Sequence, residues 1–311
     1  MTFSEDFELS SVSGKIQRRQ TDRFGPLADL VGIWRGTGFN QIWRPFHRGP
    51  SDPPTQDRFL ELNEYIEELQ FHVIPGDIPN RGLLQEDINL AGLTYLQQIQ
   101  DANVLQNNRH VGIHAETGVW INIPQTTNPA DPPTISRMAN IPHGTSFVAQ
   151  GTAATVNGPP AFPPVSITPF RIGQPASLVQ FPESNLSTPS QFRTPSGDIP
   201  HVTQPMVDNP NIVLAQGISG KSIMSTTILT ISTTDLKPPF SGGGISNIAF
   251  LQGTAAPNAQ AAQVDATFWI EKIKEPDGNT GLQLQYSQKV LLNFNGLSWP
   301  HVSVATLSKE K

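Results

Sequence analysis

The side chains best suited to bind a metal or to transfer a proton in this sequence are its histidines. The chain has seven histidines and no cysteine, so any metal ligand must come from histidine, aspartate or glutamate. His110 and His114 have the four-residue spacing that a zinc-binding helix uses, but they lack its Glu-x-x-His context and lie in a strand-like segment. The spacings therefore do not indicate a zinc site.

Carboxylates are the second group of side chains that could carry chemistry. No Gly-x-Ser-x-Gly motif accompanies them, so the usual acyl-transfer nucleophile is absent from the sequence. Four carboxylates cluster in one strand-like segment: Glu61, Glu64, Glu67 and Glu68. Paired acid–base catalysis is one interpretation of this cluster, and a solvated outer face of a barrel is the one we favour.

These side chains must be positioned by strands that long loops connect. Of the 311 residues, 29 are proline and only 15% are charged, and proline interrupts helices. Residues 83–103 fit either a helical stripe or two short strands, of which we favour the strands. Apolar alternation and flanking turn residues predict the other strands at residues 32–40, 59–74, 112–123, 134–138, 145–155, 212–216, 222–232, 245–253, 261–274, 282–294 and 298–308.

About ten antiparallel strands predict an all-β fold, a closed antiparallel barrel whose interior can hold a small ligand. Residues 1–25 are polar and aperiodic, which predicts an N-terminal arm, and residues 26–311 are predicted to form a single barrel domain. Residues 156–211 are rich in proline and lack periodicity. Loops of this length are usually functional, so we expect an insertion that serves as a lid or a partner surface.

Several segments resemble, in the same order, those of the nitrobindins, which are small haem-binding barrels of the calycin type. Residues 30–38, Leu-Val-Gly-Ile-Trp-Arg-Gly-Thr-Gly, resemble the family's opening motif, and residues 65–71 are similar to its second strand. Residues 112–120 contain the sequence His-Ala-Glu-Thr-Gly of a third motif. Residues 282–289, 297–303 and 307–309 resemble the last two strands, so the resemblance implies a nitrobindin-like barrel enlarged by insertions.

The resemblance also implies roles for individual residues. It makes His301 the proximal iron ligand of haem b and places His114 on the other side of the pocket, as the catalytic residue. A neutral imidazole can supply the fifth ligand of haem iron. The cofactor-binding residues expected from it are Trp34, Thr37, Ile113, His114, Met138 and Leu291. Two roles are open for Trp34: it can plug the floor of the barrel, or it can stack on the ligand.

Two main functions follow from these expectations. The first is a ferric haem protein that binds nitric oxide and isomerises peroxynitrite to nitrate. The alternative is a non-haem barrel that binds a lipid or another apolar small molecule, and an enzyme whose catalytic groups lie in the insertion is a third hypothesis. A net charge of −6 argues against a nucleic-acid partner, and no membrane span or signal peptide is evident, so we expect a cytoplasmic protein.

Overall fold

A computed structural model describes residues 23–234, 243–252 and 258–310. The strands of this part of the chain are β1 (Gly32–Pro45), β2 (Arg58–Val73), β3 (Ile78–Asn80), β4 (Ile88–Gln106), β5 (Arg109–Ile123), β6 (Thr134–Ile141), β7 (Thr145–Asn157), β8 (Phe170–Arg171), β9 (Gln174–Leu178), β10 (Ser222–Ser232), β11 (Gly244–Asn247), β12 (Gln260–Lys274), β13 (Thr280–Phe294) and β14 (Leu297–Lys309). The helices are α1 (Gln204–Asp208), α2 (Ile212–Ile218) and α3 (Ala249–Gln252), and 3-10 turns lie at Gly25–Leu30, Pro182–Ser184 and Ser196–Asp198.

Ten of these strands form a closed antiparallel barrel, which confirms the predicted fold. The order around the barrel is β1-β2-β4-β5-β6-β7-β10-β12-β13-β14, and β14 pairs back onto β1. This closing pair runs from Trp34 opposite Lys309 to Gln41 opposite Val302. Closure satisfies the backbone groups that an open sheet would leave at its edges.

The side chains inside the barrel divide it into a filled half and a half that holds a cavity. Trp34, Phe71 and Trp120 belong to the core of the filled half. Close packing of β1 depends on glycine: a Cβ atom on Gly38 would lie 2.3 Å from the ring of Tyr65. The absence of a side chain there lets the neighbouring strands approach and lets the tyrosine ring fill the interior.

Residues 158–221, which we call the strap, run along the outside of one wall of the barrel. This wall is apolar on its outer face as well, with Leu60, Leu62, Val302 and Val304 all buried. Apolar side chains of the strap pack against it: Ile167, Ile199, Met206, Val207 and Leu214. Strands that are apolar on both faces require cover on both sides, and the strap supplies it.

Some of the predicted elements differ from those observed. Residues 83–103 contribute to one long strand, β4, in which the pairing with β5 shifts register after Ile99. Residues 212–216, predicted as a strand, lie in helix α2 of the strap. Of the segment predicted as a strand at 245–253, residues 245–247 lie in β11 and residues 249–252 form α3, and residue 253 lies outside the described residues. Most of the predicted N-terminal arm, residues 1–22, lies outside the described residues.

No helix among the described residues is long and apolar enough to cross a membrane.

Candidate functional site

The second half of the barrel encloses a cavity of about 310 Å³. This volume lies near the lower end of the range for small-molecule and cofactor sites, about 300–1,000 Å³. Ten of its 22 lining residues are aliphatic, and the others include three histidines, His114, His143 and His301. A cavity with mostly apolar walls and a few polar groups can bind an apolar ligand and fix its orientation.

His301 faces this cavity from β14, opposite Val290 of β13. Its Nε2 atom lies 2.6 Å from Oδ1 of Asn40, which also accepts a hydrogen bond of 2.9 Å from the Ser303 hydroxyl. Burial, together with the nearby His114 and His143, lowers the pKa of His301 to about 3. The imidazole is therefore neutral at physiological pH, which is the form that ligates a metal.

A chain of amides holds Asn40 in this position. Its Nδ2 atom donates to Oδ1 of Asn63 at 3.2 Å, and Asn63 in turn donates to Oδ2 of Asp101 at 2.9 Å. Asp101 is buried and also accepts hydrogen bonds from the backbone N–H groups of Asn103 and Val104. This chain fixes the orientation of the His301 ring through the contact at its Nε2 atom.

His114 lies on β5, nearly opposite β14 in the ring of strands. Its Nε2 atom is 3.5 Å from Oε2 of Glu116, and its ring centroid is 5.9 Å from that of His143. Burial lowers the pKa of His143, and the charge of His114 adds to this effect. Two imidazoles on one side of the cavity thus face a third on the other side.

A buried ion pair between Glu116 and Arg137 lies beside His114. Glu116 accepts hydrogen bonds from Arg137 and from the Tyr95 hydroxyl, and neither charged side chain reaches solvent. Burial alone would raise the pKa of Glu116, but Arg137, with hydrogen bonds from His114 and Tyr95, lowers it to about 2. Glu116 is therefore a carboxylate at neutral pH, and it can orient the His114 ring.

Glu67 lies inside the barrel, which corrects the prediction of a solvated carboxylate face for this residue. It is only 4% exposed, and its carboxyl oxygens form hydrogen bonds with the Tyr286 hydroxyl at 2.7 Å and with Gln97 Nε2 at 2.7 Å. Burial raises its pKa to about 7 despite these two hydrogen bonds. Tyr286 and Gln97 line the cavity, so this cluster forms part of the cavity floor.

The structure brings only three of the seven predicted site residues together at the cavity: Ile113, His114 and His301. Trp34 packs in the filled half, where its indole N–H donates to the Leu30 carbonyl at 2.7 Å, so it is a plug of the barrel. Thr37 is exposed on the outer surface. Met138 is 43% exposed on the outer face of β6.

Leu291 is the fourth predicted residue that does not reach the cavity. Its neighbours Val290 and Leu292 line the cavity instead, because side chains of a strand alternate between its two faces. The sequence interpretation also missed Asn40 and His143, and it favoured the outer face of the barrel for Glu67. For Glu67, the alternation of Tyr65, Leu69 and Phe71 along β2 was a usable signal, because all four residues have the same parity. His143 lies in the turn after β6, where no pattern in the sequence indicates its direction.

Comparison with known proteins adds little to this description. No protein-family model matches the chain, and no curated protein matches it. Among solved structures, the chain is similar to the crystal structure of Rv2717c from M. tuberculosis, with 16% sequence identity and a TM-score of 0.39 over 97% of this chain and 100% of that chain. The fold and the site define a closed antiparallel β-barrel protein with an internal cavity of ligand size.

Proposed function

We propose that this barrel binds ferric haem b in its cavity, with His301 as the axial ligand of the iron. The observation that carries the proposal is the neutral His301 imidazole, which faces a cavity of ligand size with mostly apolar walls. Haem iron takes a neutral imidazole as its proximal ligand, and the porphyrin requires apolar walls. The resemblance of residues 297–303 to the last strand of the nitrobindins supports the same residue.

His301 can bind the iron of such a group on one condition. Nε2 of His301 is occupied by Asn40 Oδ1, so the ring must give up this hydrogen bond before Nε2 can bind iron. Ser303 remains as a donor to Asn40 at 2.9 Å, and Asn63 accepts from the Asn40 amide, so Asn40 keeps partners after the change. When bound, ferric haem would supply an iron centre for nitric oxide binding and for isomerisation of peroxynitrite to nitrate.

The test is an absorbance titration with ferric haem of the wild-type protein and of His301→Ala. We expect a saturating one-to-one Soret shift in the wild type and its loss in the variant, because alanine leaves the iron without its ligand. His72→Ala is the matched control, since His72 is exposed near the end of β2 and lines no part of the cavity. Tight stoichiometric haem binding by His301→Ala would contradict the proposal.

Within the haem-loaded protein, we propose that His114 holds a proton near the reacting ligand, in an orientation set by Glu116. This predicts that His114→Ala keeps the Soret shift but lowers the rate of peroxynitrite isomerisation by about 10²-fold or more, the usual effect of removing a positioned proton-transfer group. Stopped-flow decay of peroxynitrite with nitrate quantification measures this rate. An unchanged rate in His114→Ala would remove His114 from the reaction.

The second candidate function is binding of a lipid or another apolar small molecule without haem. The hydrogen bond between Asn40 and Nε2 of His301 favours it, because it gives the imidazole a satisfied role within the barrel wall. This function predicts saturable displacement of a fluorescent fatty acid and no specific Soret shift. Native mass spectrometry of the purified protein would then identify a ligand that co-purifies with it.

A further inference from the structure

The cavity floor contains a buried acid that the proposed function does not use. Glu67 is surrounded by Tyr65 on its own strand, Gln97 on β4 and Tyr286 on β13. The two tyrosines and the glutamine line the cavity, whereas Glu67 lies behind them. Glu67 is therefore separated from a ligand by one layer of hydrogen-bonding side chains.

The hydrogen bonds of this cluster indicate how many protons it holds. Three oxygen–oxygen contacts follow one another: Glu67 to Tyr286 at 2.7 Å, Tyr286 to Tyr65 at 2.9 Å, and Tyr65 to the Val304 carbonyl at 3.0 Å. Each contact needs one proton, and the two tyrosine hydroxyls supply only two. A protonated Glu67 supplies the third, so that every donor in the chain points towards the Val304 carbonyl.

The two remaining contacts of the cluster agree with this arrangement. Gln97 Nε2 donates to Oε1 of Glu67 at 2.7 Å and to the Tyr286 hydroxyl at 3.1 Å, which leaves Oε2 of Glu67 as the oxygen that carries the proton. If Glu67 were ionised, Tyr286 would donate to it, and one of the two remaining contacts, to Tyr65 or to Val304, would lose its proton. The chain of three contacts thus favours the neutral acid on geometry alone.

The charges around Glu67 do not fix it in either state. Glu116 and Arg137 form an ion pair with each other, although Arg137 and His114 both favour ionisation of Glu67. Glu61 also lines the cavity but is paired with Arg44 at 2.7 Å. His301 is neutral, and burial disfavours the charged form of His143. Burial of Glu67 outweighs the attraction and raises its pKa to about 7, so its proton is exchangeable near neutral pH.

We propose that Glu67 is a proton donor to the cavity, acting through Tyr286 on a ligand that has an anionic oxygen and an apolar body. In the transfer, Tyr286 gives its hydroxyl proton to the ligand oxygen and takes the proton of Glu67 in exchange. The ligand becomes a neutral acid and Glu67 becomes a carboxylate, which then accepts hydrogen bonds from Tyr286 and Gln97. The aliphatic lining provides for the apolar body, and the proposal does not depend on haem.

The first test is the protonation state of Glu67 in the free protein. Infrared spectroscopy of the wild type at pH 6 should show the carbonyl stretch of a buried carboxylic acid, which Glu67→Gln should lack. Glutamine has the same shape as the neutral acid and can donate to Tyr286 and accept from Gln97, so this variant should fold. If the two proteins have identical bands, Glu67 is not the protonated acid and the proposal fails.

The second test measures proton uptake when a probe ligand binds. Calorimetry with octanoate, in two buffers of different ionisation enthalpy, should show uptake by the wild type that rises from near zero at pH 6 towards one proton per ligand at pH 8. The affinity of the wild-type protein for octanoate should fall about tenfold per pH unit above pH 7. Glu67→Gln should take up no proton through this site, and 1-octanol should cause no uptake in either protein.

The variant Tyr286→Phe separates the role of Tyr286, which passes the proton to the ligand, from that of Glu67, which supplies it. This variant should keep the infrared band of the protonated acid but should lose the octanoate-linked proton uptake. Equal uptake in the wild type and Glu67→Gln would assign the proton to the histidines and overturn the proposal, as would the absence of saturable octanoate binding. A failure of haem binding leaves these results unchanged, so the two proposals can be judged separately.

Discussion

Replacing Arg137 with methionine is expected to reduce the free energy of unfolding by about 3–5 kcal/mol, the usual cost of breaking a buried ion pair from one side. Arg137 is only 3% exposed and donates to Glu116, to the Tyr95 hydroxyl at 3.1 Å and to Gln288 at 2.7 Å. Methionine fills much of the volume but leaves the Glu116 carboxylate buried without a counter-charge. Urea denaturation monitored by tryptophan fluorescence measures the change.

The pH dependence and a double variant make this prediction specific. In Arg137→Met the pKa of Glu116 rises, because burial then acts without the attraction of the guanidinium. The loss of stability should therefore be larger at pH 8 than at pH 5, where Glu116 can take up a proton. The double variant Glu116→Gln/Arg137→Met should be more stable than Arg137→Met alone. A single variant within about 1 kcal/mol of the wild type would show that the ion pair does not stabilise the fold.

Replacing Trp43 with alanine is expected to destabilise the protein by about 3–5 kcal/mol and to loosen the strap. Trp43 is 1% exposed, and its indole N–H donates to the Ile167 carbonyl at 2.9 Å. Its ring lies 5.7 Å from those of both Phe181 in the strap and Trp299 in β14. Alanine removes all of these contacts and leaves a cavity between the barrel and the strap.

Limited proteolysis distinguishes a loosened strap from a general loss of stability. In Trp43→Ala we expect new cleavage within residues 158–221 under conditions in which the ten barrel strands stay intact. Trp43→Phe is the matched control, because it keeps an aromatic ring against Phe181 while it loses the hydrogen bond to Ile167 and the volume of the second indole ring. Should Trp43→Ala match the control in both stability and cleavage, the strap must be held by its other apolar contacts.

The fold could be predicted because alternation along the strands is strong. In β13, Leu284, Tyr286 and Val290 are buried on the inner face, as the two-residue period indicates. The strap was harder to predict. Proline-rich segments carry no periodicity, and its cover of the outer wall became apparent only from the burial of Leu60 and Val302 on outward positions.

The site was predicted less well, because it depends on side-chain direction and on partners far away in the sequence. His301 shares its face with Trp299 and Ser303, a mixed set that does not reveal the interior, and its pairing with Val290 decides the direction. Leu291 shows how sensitive such predictions are, since a shift of one residue moves a side chain to the opposite face. The proton-holding cluster joins Glu67 to Tyr286 across more than two hundred residues, a contact that no local pattern contains.

Pairing of β1 with β14 has a consequence for the order of events during synthesis. β1 leaves the ribosome before the other barrel strands, and β2 can pair with one of its edges at once, but the other edge has no partner until β14 is complete. The outer wall on which the strap packs is unfinished for the same period, since Val302 and Val304 belong to it. An open strand edge can pair with other chains, so the nascent protein is exposed to aggregation until its last strand closes the barrel.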